Sequence, residues 1–114
     1  MRWPQESKYH NRRVTVDGIS FQSVKEASRW QQLKFLERAG KITGLKRQVR
    51  IEIVPKTDLY RAAYYVADFT YFDKEKGVEV YEDVKGYRAG PAYEHFKLKR
   101  KILYERYGIR ITET

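Results

Sequence analysis

The 114-residue chain contains no cysteine. That excludes a disulfide framework, a thiolate nucleophile and a cysteine zinc site. Histidine is nearly as scarce, with two residues, so structural zinc is poorly served and an HNH-type nuclease is excluded. The His10-Asn11 pair would need a further histidine in a ββα unit, and His95 lies far along the chain in a predicted helix. Long apolar runs are also missing. "AAYYVA" is the longest at six residues, far short of a membrane span. The opening "MRWPQESKYHNRR" has no apolar core of a secretory signal, so a cytoplasmic protein without a membrane partner is expected. No phosphate-binding glycine loop occurs, so no nucleotide cofactor is expected.

Acidic residues are in the minority, 15 against 24 lysines and arginines, for a net charge of +9. An excess of that sign favours a polyanionic partner, because each neutralised phosphate releases condensed counterions. Hydrophobic residues make up 41% and aromatics 15%, enough for one core, and the length suits a single domain over residues 1–114.

Along the chain, Asp17-Gly18 between two short alternating runs signals a hairpin. Ser23 followed by Glu26 spells a capping box, and a helix is expected from Val24 to about Ala39, stopped by Gly40. Its apolar residues spread around the circumference, which predicts burial on more than one side. "QVRIEIV" after Gly44 reads as a half-buried strand, residues 62–72 and 78–85 as two more, and 91–107 as a second helix with Pro91 in its first turn. "IRIT" closes the chain as a short strand. The order is hairpin, helix, three strands, helix, strand: an α+β (α/β) domain with a mixed sheet.

Carboxylates interrupt the two central strands where a core would place valine: Asp68 in one, Glu82-Asp83 in the other, with Lys85 two places on. A symmetric turn between Glu75 and Lys76 pairs residues whose numbers sum to 151, so Asp68 would face Asp83 with Cβ atoms roughly 4.5–5.5 Å apart. Alternation adds Lys85 to that side and sends Glu82 and Val84 to the other. Like charges set opposite each other are unfavourable unless a divalent cation joins them, and carboxylate oxygens suit Mg²⁺ or Mn²⁺. The same residues also fit a surface carboxylate pair with Lys85 as its ion-pair partner. Glu26 likewise fits a plain helix cap.

Glu26, Asp68 and Asp83-Val84-Lys85 in this order resemble the PD-(D/E)xK nuclease superfamily, whose core also runs helix, three strands, helix, strand. "VDGISFQSVKEASRWQQL", "YVADFTY", "YEDVKG" and "LKRKILYERYGIRI" are similar to a phage family of small endonuclease-like proteins, and in size and layout to archaeal-type Holliday junction resolvases. The family proline is absent, since Ala67 precedes Asp68. The resemblance implies a restriction-endonuclease-like core and a Mg²⁺-dependent endonuclease, with Mn²⁺ as a substitute. Asp68, Asp83, the Val84 carbonyl and Glu26 would be the metal ligands, and Lys85 would stand at the attacking water. It also implies a homodimer acting on branched DNA, the four-way junction first. A nicking, flap or end-directed nuclease and a non-catalytic nucleic-acid binder are the alternatives. Candidate DNA contacts are Arg12 and Arg13 in the basic N-terminal stretch with Arg2 and Lys8, Arg88 beside Tyr87 in the loop after Lys85, and Lys97, Lys99, Arg100 and Lys101 on the second helix.

Overall fold

The computed structural model describes residues 13–86 and 88–114. Two short strands, β1 (Val14–Val16) and β2 (Ile19–Phe21), form a hairpin in which Val16 opposes Ile19. Its two turn residues, Asp17 and Gly18, both have positive φ (51° and 77°), the mirror-image turn that matches strand twist and that Asp-Gly favours. Helix α1 (Val24–Arg38) follows, and then β3 (Ile42–Val54), β4 (Ala63–Asp73), β5 (Val78–Asp83), α2 (Gly90–Tyr107) and β6 (Ile111–Glu113). The four longer-range strands form one sheet in the order β3-β4-β5-β6, antiparallel except for the parallel β5–β6 pair. This α+β architecture with a mixed sheet has the expected order of elements.

Two clusters hold the sheet to its helices. Phe21, Ala27, Trp30, Leu33, Ile42, Phe69 and Tyr71 pack under α1, supported by Val80 and Val84. Ile53, Tyr65, Ala67, Phe96 and Leu103 pack under α2, supported by Tyr81 and Ile111. Strand β4 passes from one cluster to the other between Ala67 and Phe69, and Asp68 sits at that seam. α2 is tied to β3 at its far end, where the Tyr107 hydroxyl donates to the Glu52 carbonyl (2.5 Å). Gly108 (φ 69°) then caps it, donating to Tyr104 O at 2.9 Å.

Three expectations are corrected. α1 buries one stripe, Glu26, Ala27, Trp30 and Leu33, while Val24 and Phe35 are exposed, because the sheet offers it a single apolar surface. β3 begins at Ile42, well before Gln48, because the 11-residue β4 supplies pairing partners along that whole length. The ladder shifts register between Thr43 and Lys46, and Gly44 (φ 67°) lies inside that irregularity. β5 ends at Asp83, so Val84 and Lys85 leave the ladder.

Candidate active site

The turn after β4 decides where the carboxylates go. Asp73 Oδ1 accepts from the N–H groups of Glu75 and Lys76 (both 3.0 Å), and Gly77 (φ 70°) donates to the Asp73 carbonyl at 2.7 Å. No bulge follows. The pairs Asp73–Val78, Tyr71–Val80 and Phe69–Glu82 keep the register reasoned from the sequence, and the next position outward brings Asp68 to Asp83.

The two carboxyls face each other closely enough that each alters the other's titration. Burial, then the hydrogen bond and charge of Asp68, push Asp83 from 3.8 up to about 7. Tyr65 and Lys85 oppose that rise without cancelling it. Asp68 is also raised, by burial first. Its contact with Asp83 and the Val84 N–H, which donates to Oδ2 at 2.8 Å, hold it back, and Glu26 adds to the rise. The Tyr65 hydroxyl donates to Asp83 Oδ2. Burial, then the adjacent Asp83 charge, keep that phenol protonated.

Lys85 Nζ lies 3.4 Å from Asp83 Oδ1 and 3.7 Å from the Phe96 ring centroid. Its backbone is fixed on both sides of the motif, since Lys85 N donates to Thr114 O and Thr114 N donates to Asp83 O (3.0 Å each). The Lys25 ammonium donates to the Lys85 carbonyl at 2.7 Å, which brings a second cation to the same edge.

Glu26 serves as the helix cap with one carboxylate oxygen and turns the other towards Gln48. Ser23 Oγ accepts from Glu26 N (3.1 Å) and Glu26 Oε1 accepts from Gln22 N (3.1 Å), a reciprocal cap shifted by one residue. Glu26 Oε2 instead turns to the site and accepts from Gln48 Nε2 at 3.2 Å. The same amide donates to Asp68 Oδ1 at 3.4 Å, so Gln48 bridges Glu26 and Asp68. Gln48 has a left-handed backbone (φ 54°) inside a strand, a conformation that costs a non-glycine residue energy and that clusters at functional sites.

Glu82, by contrast, faces α1. Arg29 holds it through two nitrogens at 2.8 and 2.5 Å, and the Tyr71 hydroxyl donates to it as well. It is a closed structural ion pair with no oxygen turned to Asp68.

Among the described residues, no three histidine, cysteine or acidic side chains converge into a ready-made metal cage. The arrangement is a tight pair, Asp68 and Asp83, with Glu26 one amide away. Mg²⁺ keeps several waters and needs only one or two carboxylates from a protein, so this donor set fits that ion better than a fully enclosed one.

The expected DNA contacts divide. Arg88 and Arg100 both pair with Glu113 (3.2 and 2.6 Å). Burial alone would raise Glu113, yet Tyr93, Arg88 and Arg100 hold it below the ordinary carboxylate range. Lys97 pairs with Glu94 at 2.9 Å, Lys99 Nζ donates to the Tyr64 carbonyl at 3.0 Å, and Arg13 donates to Ser20 Oγ at 3.1 Å. Lys101 is exposed on α2. Arg2, Lys8, Arg12 and Tyr87 lie outside the described residues.

Sequence reasoning missed Gln48, Tyr65 and His95. A left-handed residue within an alternating strand has no sequence signature when it is not glycine. His95 is distant in sequence, yet it lines the same cleft as Asp83 and Lys85.

The sequence pattern of the family described as "Protein of unknown function (DUF1064)" matches residues 6–112, and the chain belongs to that family. No curated protein and no solved structure matches it.

Proposed function

We propose that this DUF1064 protein is a divalent-metal-dependent endonuclease that hydrolyses DNA phosphodiesters, with the four-way junction as its preferred substrate. The observation that carries the reading is the pairing of buried Asp83 with half-buried Asp68, with the Lys85 ammonium 3.4 Å from Asp83. Burying two carboxyls against each other weakens a fold, and a cation between them restores the balance. The resemblance of Glu26, Asp68 and Asp83-Val84-Lys85 to the PD-(D/E)xK pattern and the excess of positive charge support it.

Asp68, Asp83 and the Val84 carbonyl are the groups that would hold Mg²⁺ or Mn²⁺, with Glu26 reaching the ion directly or through water. The ion's chemistry there would be to polarise the phosphoryl group and acidify the attacking water. Tyr65 fixes the orientation of Asp83 from one side. Gln48 fixes Asp68 and Glu26 from the other. Lys85, kept beside Asp83 and over the Phe96 ring, orients the attacking water and offsets charge on the phosphate. A two-fold junction needs two cuts, so a symmetric homodimer is the assembly this function asks for.

The test is cleavage of a labelled four-way junction beside a linear duplex of the same sequence, in Mg²⁺ and in EDTA. The natural protein is compared with Asp83→Asn. Paired nicks on the junction alone, lost in EDTA and in the variant, are the expected result. Equal cutting of the duplex would remove the junction preference and leave the nuclease. No cutting of any DNA, with junction binding unchanged in Asp83→Asn, would leave only a binding protein.

A further inference from the structure

We infer that the cleft between the start of β4 and α2 seats one unpaired nucleotide of the DNA, next to the phosphate being cut. The inference rests on the nuclease reading above and narrows its substrate to DNA with a base free of its duplex stack.

The cleft has a volume of about 300 Å³, and its lining includes Tyr64, Asp83, Lys85, His95, Phe96 and Lys99. Position is the first argument. Asp83 and Lys85 form one wall, so whatever occupies the cleft abuts the candidate catalytic groups. A larger hollow of about 760 Å³ lies on the Glu82 side, but Arg29 and Tyr71 already satisfy the carboxylate there.

Size is the second argument. The cleft is at the small end of ligand sites, room for a single nucleotide unit and not for a duplex. A base can enter only after leaving its stack, at a cost of a few kcal/mol that is least for one already unpaired. Branch points, flaps and single strands supply such bases, and a continuous duplex does not.

Chemistry is the third. The Tyr64 ring and the His95 imidazole share the cleft with the ammonium groups of Lys85 and Lys99, over a floor of buried Phe96. Single-stranded nucleic acid is held by that combination, rings for the base and cations for the phosphate. Lys99 is anchored by its bond to the Tyr64 carbonyl (3.0 Å), which fixes its charge at the rim. The Arg50 guanidinium lies 4.1 Å from the Tyr64 ring centroid, which extends the cation–aromatic surface onto β3. His95 and Lys99 are one helical turn apart on α2 and so reach the cleft together.

The experiment titrates thymidine 5′-monophosphate into the full chain in EDTA, followed by NMR shifts of the His95 ring and the Lys99 side chain. Inorganic phosphate serves as the control. Saturable shifts of the His95 and Lys99 signals with the nucleotide, and much weaker ones with phosphate, are expected. Binding about tenfold weaker in His95→Ala and in Tyr64→Ala is also expected, the loss of one stacking contact. His95 is exposed, so its variant folds whatever Tyr64→Ala does. Equal shifts from phosphate alone would reduce the cleft to an anion site and overturn the inference. So would a chain that cuts junctions in Mg²⁺ while the nucleotide leaves these signals unmoved, and in that case the nuclease reading stands. Nucleotide binding in a chain that cuts no DNA would uphold the seat for a nucleotide and overturn the nuclease reading instead.

Discussion

Glu82 and Asp83 are adjacent in the chain and carry the same charge, yet their surroundings give them opposite effects on stability. Glu82 has a guanidinium and a phenol on its oxygens, whereas Asp83 faces another carboxyl whose effect, with burial, outweighs the Tyr65 phenol and the Lys85 ammonium beside it. Glu82→Gln gives up the charge-assisted pair with Arg29, and a loss of about 1–3 kcal/mol is expected in denaturant melts, with Mn²⁺ binding unchanged. Asp83→Asn should instead stabilise the metal-free protein at pH 8 by roughly 1–3 kcal/mol, since a pKa unit is worth about 1.4 kcal/mol. The sign follows from linkage. Asp83 titrates higher in the folded state than in the unfolded chain, so the folded state holds the extra proton. Its contribution is intact below 3.8 and is lost as pH rises through about 7. Relative to Asp83→Asn, the metal-free natural protein should therefore lose melting temperature between pH 5 and 8. Mn²⁺ should restore it at pH 8 in the natural protein and not in the variant. A parallel pH profile for the two proteins would mean that burial and Asp68 do not raise Asp83.

In the central hairpin, sequence and structure agree because the turn leaves no choice. Asp73 and Gly77 close it symmetrically, and every β4–β5 pair follows from that count. Strand β3 is different. It carries two left-handed residues, Gly44 and Gln48, and only the glycine is comfortable there. A strained Gln48 persists because its amide joins Glu26 and Asp68. Gln48→Ala and Gln48→Gly both remove that amide, so both should weaken Mn²⁺ binding about tenfold, the lower end of losses from residues that orient ligands. They should differ in stability, with the glycine variant roughly 1 kcal/mol more stable because it alone relieves the backbone. Equal melting temperatures would show that position 48 is not held in the left-handed region. Much of the site was legible at this scale: the Asp68–Asp83 pairing came from counting outward from a turn, and the Ser23–Glu26 spacing announced the start of α1. The bridge through Gln48 and the approach of His95 were not legible. Both depend on where β3 and α2 come to rest on the sheet, which no local pattern of residues encodes.

Taken whole, the molecule places its carboxylates at the seam where the α1 and α2 clusters meet along β4, with a net charge of +9 around them. That total overstates what is available to a phosphate backbone. Arg88 and Arg100 are committed to Glu113 on β6, and Lys97 to Glu94. These pairs were not visible in the sequence, where "KLKRK" reads as one basic patch. Lys101 differs, because it makes no ion pair among the described residues and is exposed on α2. DNA affinity should fall steeply with salt, and the log–log slope counts the phosphates neutralised. Lys101→Ala is expected to weaken binding to all DNA sequences alike and to make the slope shallower by about one, with the melting temperature unchanged. Arg100→Ala should instead destabilise the protein, since it strips Glu113 of its shorter ion pair and releases the contact of α2 with β6. A full slope in Lys101→Ala would remove this part of α2 from the DNA path and leave the cleft beside Lys85 to set where the strand runs.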